Sequence, residues 1–137
     1  MSELAHAGLS FLQAIESPEQ AEQALLQMPQ AECPVVHYFG PGIAIREVRM
    51  AAGTLAVGHH QKHAHLNVLV QGKVAMLEDD GSLRVVEAPL IYTGQPGRKV
   101  GYVLEDVVWQ NIYPTDLRDA DAIESHYIEK SDAWKAQ

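Results

Sequence analysis

Cysteine is almost absent from these 137 residues: Cys33 stands alone, so no internal disulfide can form. It reads as a small buried apolar side chain. Positive charge is scarce as well, with ten Lys and Arg against eighteen Asp and Glu, a formal charge of -8. Phosphate backbones and anionic membranes are held by clustered positive charge, so neither a nucleic-acid binder nor a membrane-docking protein is expected. No apolar run reaches the roughly 18–20 residues that span a bilayer. The opening Met-Ser-Glu-Leu-Ala-His lacks the basic stretch of a secretory signal, and export by that route is not expected. Gly-x-Ser-x-Gly, the P-loop and Gly-x-Gly-x-x-Gly are missing, which removes the nucleophile elbow and the common phosphate-binding loops. What remains is ordinary globular usage, 47% hydrophobic and 20% charged, at the length of one domain.

Periodicity divides the chain into three segments. In residues 1–33, Leu4, Gly8, Phe11, Leu12 and Ile15 recur at helical spacing and predict a first helix. Ser17-Pro18-Glu19-Gln20 then supplies an N-cap, a proline at the first helical position and a glutamine placed for a capping box. Ala21, Ala24, Leu25 and Met28 carry this second helix to Pro29. The pair is expected to cover one face of the domain that follows. Residues 34–114 switch to short strands: 35–38 and 43–50 around Gly40-Pro41-Gly42, then 54–57, 66–70, 73–77, 83–86, 90–92, 100–104 and 107–113. Gly72 reads as a break, and Glu78-Asp79-Asp80-Gly81-Ser82 as a solvated hairpin turn. Many short strands without intervening helices predict a mainly β, antiparallel sandwich or barrel. In residues 115–137, Leu117, Ala120, Ile123 and Tyr127 predict a C-terminal helix capped at Thr115 or Asp116. Asp116, Asp119, Asp121 and Glu124 suit the positive end of its dipole.

Four of the seven histidines fall in Gly58-His59-His60-Gln61-Lys62-His63-Ala64-His65, directly before a strand. On an extended chain His59, Gln61, His63 and His65 share one parity, so a barrel can aim several of them inward together. Converging imidazoles with oxygen or nitrogen donors suit Fe, Mn, Ni or Zn. Gly53-x5-His59-x-Gln61-x3-His65-x6-Gly72 resembles the first sequence motif of the cupin superfamily, the small RmlC-like jelly-roll barrels whose metal sits inside the barrel. The second motif would fall near Pro96–Lys99. Gln61 stands where cupins place a histidine, His65 in their glutamate position and Lys99 in the last histidine position. A protonated lysine does not coordinate a cation. The resemblance therefore implies a jelly roll with either no metal or one divalent ion on His59, Gln61 and His65, joined by His63. The runs His65–Val74 and Gly94–Tyr113 are similar to a group of small cupin-like proteins encoded by tailed bacteriophages and prophages. That similarity implies the host cytoplasm or the virion as location.

Val107, Trp109, Asn111 and Tyr113 share one strand face. If Trp109, Asn111 and Tyr113 point inward, they line a pocket with His59, Gln61, His65 and Lys99, aromatic-walled and locally positive. Such a pocket suits a small carboxylate or phosphate. Three readings stay open: a non-catalytic phage module acting in the virion or on a host protein, a metal-dependent enzyme (dioxygenase, isomerase or lyase) on a small organic acid, and a small-anion or metabolite binder. Jelly rolls of this type pair through an edge strand or a swapped terminus, which implies a homodimer.

Overall fold

A computed structural model describes residues 2–137. Helix α1 (Glu3–Ala14) starts at Ser2, whose hydroxyl accepts from the Ala5 amide. Helix α2 (Pro18–Leu25) starts at Ser17, whose hydroxyl accepts from the Gln20 amide at 3.1 Å. Gln20 returns its side-chain oxygen to the amide of Glu16 at 2.6 Å, one residue further out than a capping box requires. The strands are β1 (Val35–Gly40), β2 (Ile43–Met50), β3 (Leu55–Val57), β4 (His60–Gln61), β5 (His65–Leu77), β6 (Leu83–Glu87), β7 (Leu90–Gly94) and β8 (Val100–Pro114). Helix α3 (Ala120–Tyr127), strand β9 (Ile128–Glu129) and helix α4 (Asp132–Lys135) follow. The fold is mainly β and antiparallel, with helices on both sides of the sheet segment.

Its spine is the pair of long strands β5 and β8, hydrogen-bonded along their length. One half of the spine carries β7 on β5 and β2, then β1, on β8; the other half carries β6 and β3. Two expected pairs of strands are thus two continuous ones. Gly72 and Glu105-Asp106 do not end strands but sit side by side at the bend, where the β5–β8 register shifts. Gly72 takes φ +98°, and a Cβ there would collide with the Asp106 carbonyl oxygen, so the corner accepts only glycine without strain. Among the described residues, strand pairing does not close the sheet into a barrel. Strands β4 and β9 form a separate two-stranded ribbon, and α3 packs on Ala44 and Tyr113 of the main sheet.

The register sets the interior. Facing residues form three cross-strand rows: Val35, Val48, Trp109, Leu69 and Leu90; then His37, Arg46, Asn111, Asn67 and Tyr92; then Phe39, Ala44, Tyr113, His65 and Gly94. The first row runs into an apolar core of Leu69, Val74, Val86, Val103 and Val107. The third packs under α3, where Ala44 and Tyr113 meet Ile123, Tyr127 and Ile128. On the opposite side of the second half-sheet, Ala75, Val100 and Tyr102 receive Leu12 of α1. Gly8 lies so close on the Tyr102 ring that a side chain would overlap it. The N-terminal helices do cover one face, as their stripe implies.

The C-terminal helix starts later than the sequence suggests. Its N-cap is Asp119, whose carboxylate accepts from the Ala122 amide, whereas Thr115 accepts from the Leu117 amide in a separate turn. Starting there puts Ile123 and Tyr127 against Ala44 and Tyr113. Cys33 is free and half-buried, and burial raises its thiol pKa.

Candidate functional site

Alternation along β8 puts Trp109, Asn111 and Tyr113 on the interior face, and alternation along β5 puts His65 and Asn67 opposite them. These residues bond to one another. The Asn67 side-chain oxygen accepts from Trp109 Nε1 at 3.1 Å and from Asn111 Nδ2 at 2.8 Å. The Tyr113 hydroxyl donates to Gln61 Oε1 at 2.9 Å, which uses the amide oxygen that a metal site would need. The His65 ring lies 5.9 Å from that of Tyr113. Its Nδ1 meets the His63 carbonyl at 3.0 Å, and a carbonyl only accepts, so Nδ1 carries a proton. Gly94 leaves room for that edge, since a Cβ there would stand 2.6 Å from His65 Nε2. Burial pushes the Tyr113 phenol up to about 12.

His59 lies elsewhere, edge-on to Trp134 of α4 with ring centroids 5.0 Å apart. His63 turns outward and stacks on His126 at 5.5 Å. Lys99 does not join the interior. Its side chain is half exposed and reaches out to the β5–β6 turn, with Nζ 3.8 Å from Asp79. Lys99 is therefore a correction to the expected pocket. Its neighbour Arg98 is the buried cation, held by Glu22 at 2.7 Å and donating from Nε to the Gly58 carbonyl at 2.8 Å.

Sequence reasoning missed a second cluster beside this one. Arg46 and His37, neighbours in the polar cross-strand row, face Glu124 of α3. Their Nε and Nε2 atoms stand 3.8 and 3.6 Å from its carboxylate, within ion-pair range but too far to hydrogen-bond, and Lys130 reaches it at 3.1 Å. Among the described residues, Arg46 Nε, His37 Nε2 and His59 Nδ1 are buried without a hydrogen-bond partner. Burial opposes the charge of Glu124, but Lys130 and Arg46 outweigh it and hold the carboxyl below its ordinary range. Burial lowers His37 below the usual imidazole value, against the pull of Glu124. His59 is lowered from 6.5 to about 4, chiefly by burial and then by Arg46, Lys130 and Arg98.

This predicts acid sensitivity. The unfolded His59 imidazole takes up its proton near 6.5 and the folded one only near 4, so stability is lost as pH falls through that window. At full burial such a depression corresponds to roughly 3 kcal/mol, and water reaching the partly open ring reduces it to about 2 kcal/mol. His37 acts in the same direction. Glu124, with its lowered pKa, adds a further loss through the carboxylate range. Urea midpoints should fall from neutral pH towards 4, and His59→Phe should flatten that fall. Parallel pH profiles for the two proteins would refute the assignment.

A cupin frame implies a metal, and the donor set does not fit one. Gln61 is engaged by Tyr113, His59 sits against Trp134, His63 faces outward and Lys99 is remote. Among the described residues, no three His, Cys, Asp or Glu side chains converge as metal ligands would.

No family model matches the chain, and no curated protein is similar to it in sequence. Several solved structures are similar in outline. The EutQ protein of Clostridium difficile matches with 13% identity and a TM-score of 0.47, over 61% of this chain and 64% of that one. This chain thus spans less than two thirds of that protein's length. A cupin-2 domain protein of Shewanella frigidimarina matches with 11% identity and a TM-score of 0.46, over 75% of this chain and 96% of its own. A cupin domain of Bordetella pertussis matches with 14% identity and a TM-score of 0.48, over 64% and 98%.

Proposed function

We propose that this chain is a cupin-fold module of a phage that works by binding and not by catalysis, as an accessory virion component or a host-interaction protein. The observation that carries the reading is the state of the interior polar groups. Where a cupin would hold a metal, Asn67 bonds Trp109 and Asn111, Tyr113 bonds Gln61, and the tail helix α3 packs over Tyr113. A buried network satisfied in this way makes one rigid shape and leaves few groups to touch a substrate. The phage setting rests on the likeness of residues 65–74 and 94–113 to phage and prophage proteins.

A second reading, binding of a small anion, is favoured by Arg46 Nε and His37 Nε2, buried beside Glu124 and, among the described residues, without a hydrogen-bond partner. A carboxylate or phosphate reaching them would make the short bonds that Glu124 leaves unmade.

One preparation, purified without a tag or chelator, tests both. Elemental analysis should give far less than one equivalent of Fe, Mn, Ni or Zn per chain, unchanged in a His59→Ala, His65→Ala double variant. One equivalent, lost in that variant, would overturn the reading in favour of a metal-dependent enzyme. Melting the same sample with phosphate or a small dicarboxylate decides the second reading. A rise in melting temperature that vanishes in Arg46→Gln supports it, and no rise refutes it.

A further inference from the structure

The outward side of the sheet is as regular as its interior. On the first half-sheet one row reads Tyr38, Ile45, Ile112, Leu66 and Thr93, and the next Val36, Glu47, Gln110, Val68 and Ile91. Five strands thus present an apolar outer surface. The corresponding surface on the second half-sheet is covered by α1, with Leu12 wholly buried against Tyr102 and Ala75. Among the described residues the first half-sheet has no such cover: Val36, Tyr38, Ile43, Leu66 and Val70 are 40–49% exposed, and Ile91 is 66% exposed. These six side chains and the half-buried aliphatics between them leave on the order of 600 Å² open, at the upper end for a monomer's largest apolar patch. A stable dimer buries about 800 Å² on each partner.

Charge narrows the choice of occupant. The chain carries a formal charge of -8, which opposes the approach of two copies over most of the surface. On this face Glu47 and Arg49 are the charged side chains, and they neutralise each other at 3.2 Å. Gln110 occupies the second Glu47 oxygen at 2.8 Å, so the carboxylate offers a partner no free negative end. The face therefore lacks the cations for nucleic acid or an anionic membrane, and it lacks the repulsion that keeps two copies apart elsewhere. A flat antiparallel surface can also meet its own image about a two-fold axis, the commonest arrangement of soluble oligomers.

We infer that the outer face of β1, β2, β8, β5 and β7 is where a second copy of this chain docks, sheet against sheet, to make a symmetric dimer. The contact is a face and not an edge strand or exchanged terminus. It is independent of whether the interior binds an anion, a metal or nothing.

Sedimentation equilibrium or light scattering at micromolar concentration tests this. The wild-type chain, 15.1 kDa, should run at twice its mass. A Leu66→Glu, Ile91→Glu double variant should run as a monomer with an unchanged circular dichroism spectrum. Tyr38→Lys, on a different strand of the same face, should weaken the dimer separately, so the inference stays testable if the double variant does not fold. Val85→Glu, at an exposed position outside this face, should leave it intact. A monomeric wild type overturns the inference, as does a dimer that survives both the double variant and Tyr38→Lys, which would point to an edge or a terminus.

Discussion

Glu22→Ala should lower the unfolding free energy by about 3–5 kcal/mol, and Arg98→Ala by a similar amount, because each strands the other charge. Both side chains are 8% exposed, and the pair is bidentate, with Arg98 Nη2 at 2.7 Å and Nη1 at 3.4 Å. Arg98 also holds the Gly58 carbonyl, and Ser131 donates its hydroxyl to Glu22 at 2.6 Å. One carboxylate thus joins α2, the loop before β8 and the N-cap of α4. These bonds, led by the Arg98 hydrogen bonds and opposed by burial, hold the Glu22 carboxyl below its ordinary range. For a domain whose whole stability is of the order of 5–15 kcal/mol, the loss is severe, on the order of 10 °C in melting temperature. A Glu22→Gln, Arg98→Met double variant removes both charges and should recover more than half of the single-variant loss. Urea unfolding followed by tryptophan fluorescence measures all three. Single variants within about 1 kcal/mol of wild type would show the pair to be exposed in solution.

The second large effect is at Tyr127. Its ring stacks on Tyr113 at 4.1 Å with 13° between planes, and its hydroxyl donates to the Pro114 carbonyl at 2.7 Å. Tyr127→Ala removes a buried aromatic and should cost about 3–5 kcal/mol, whereas Tyr127→Phe loses the hydrogen bond alone, about 1 kcal/mol. A change in Tyr113 separates uncovering of the interior from general weakening. Burial holds that phenol up at about 12, and with the tail helix loosened it should return towards 10. An ultraviolet titration of Tyr127→Ala reads this directly. A phenol still ionising near 12 would mean that α3 stays seated without its aromatic anchor.

Periodicity revealed the two N-terminal helices, the Ser17 cap and the antiparallel β class. It split β5 and β8 because Gln71-Gly72-Lys73 and Glu105-Asp106 have the composition of turns. A sharply bent strand pair puts polar residues and a glycine at its corner as a turn does, and only pairing distinguishes the two. Parity put Trp109, Asn111 and Tyr113 on one face, because alternation survives within an unbroken run. It could not place Lys99, which precedes β8 and whose long side chain reaches out to Asp79 in the β5–β6 turn. Arg46, Asn67 and Glu124 carry no motif. They are single polar residues on three elements, brought together by register and by the docking of α3. Strand β9, two residues long, is too short to show a period.

The bond from Ser131 to Glu22 spans 109 residues of chain. Helices α1 and α2 are synthesised before either of their supports, Tyr102 on β8 and Ser131 at α4. Until β5 and β8 have paired, Leu12 lacks the face of Ala75, Val100 and Tyr102 that buries it, and loop closure over such a distance slows the docking. A segment made before the sheet it rests on is therefore late to reach its native place. During synthesis its apolar stripe stays open to water and to chaperones while the sheet forms behind it.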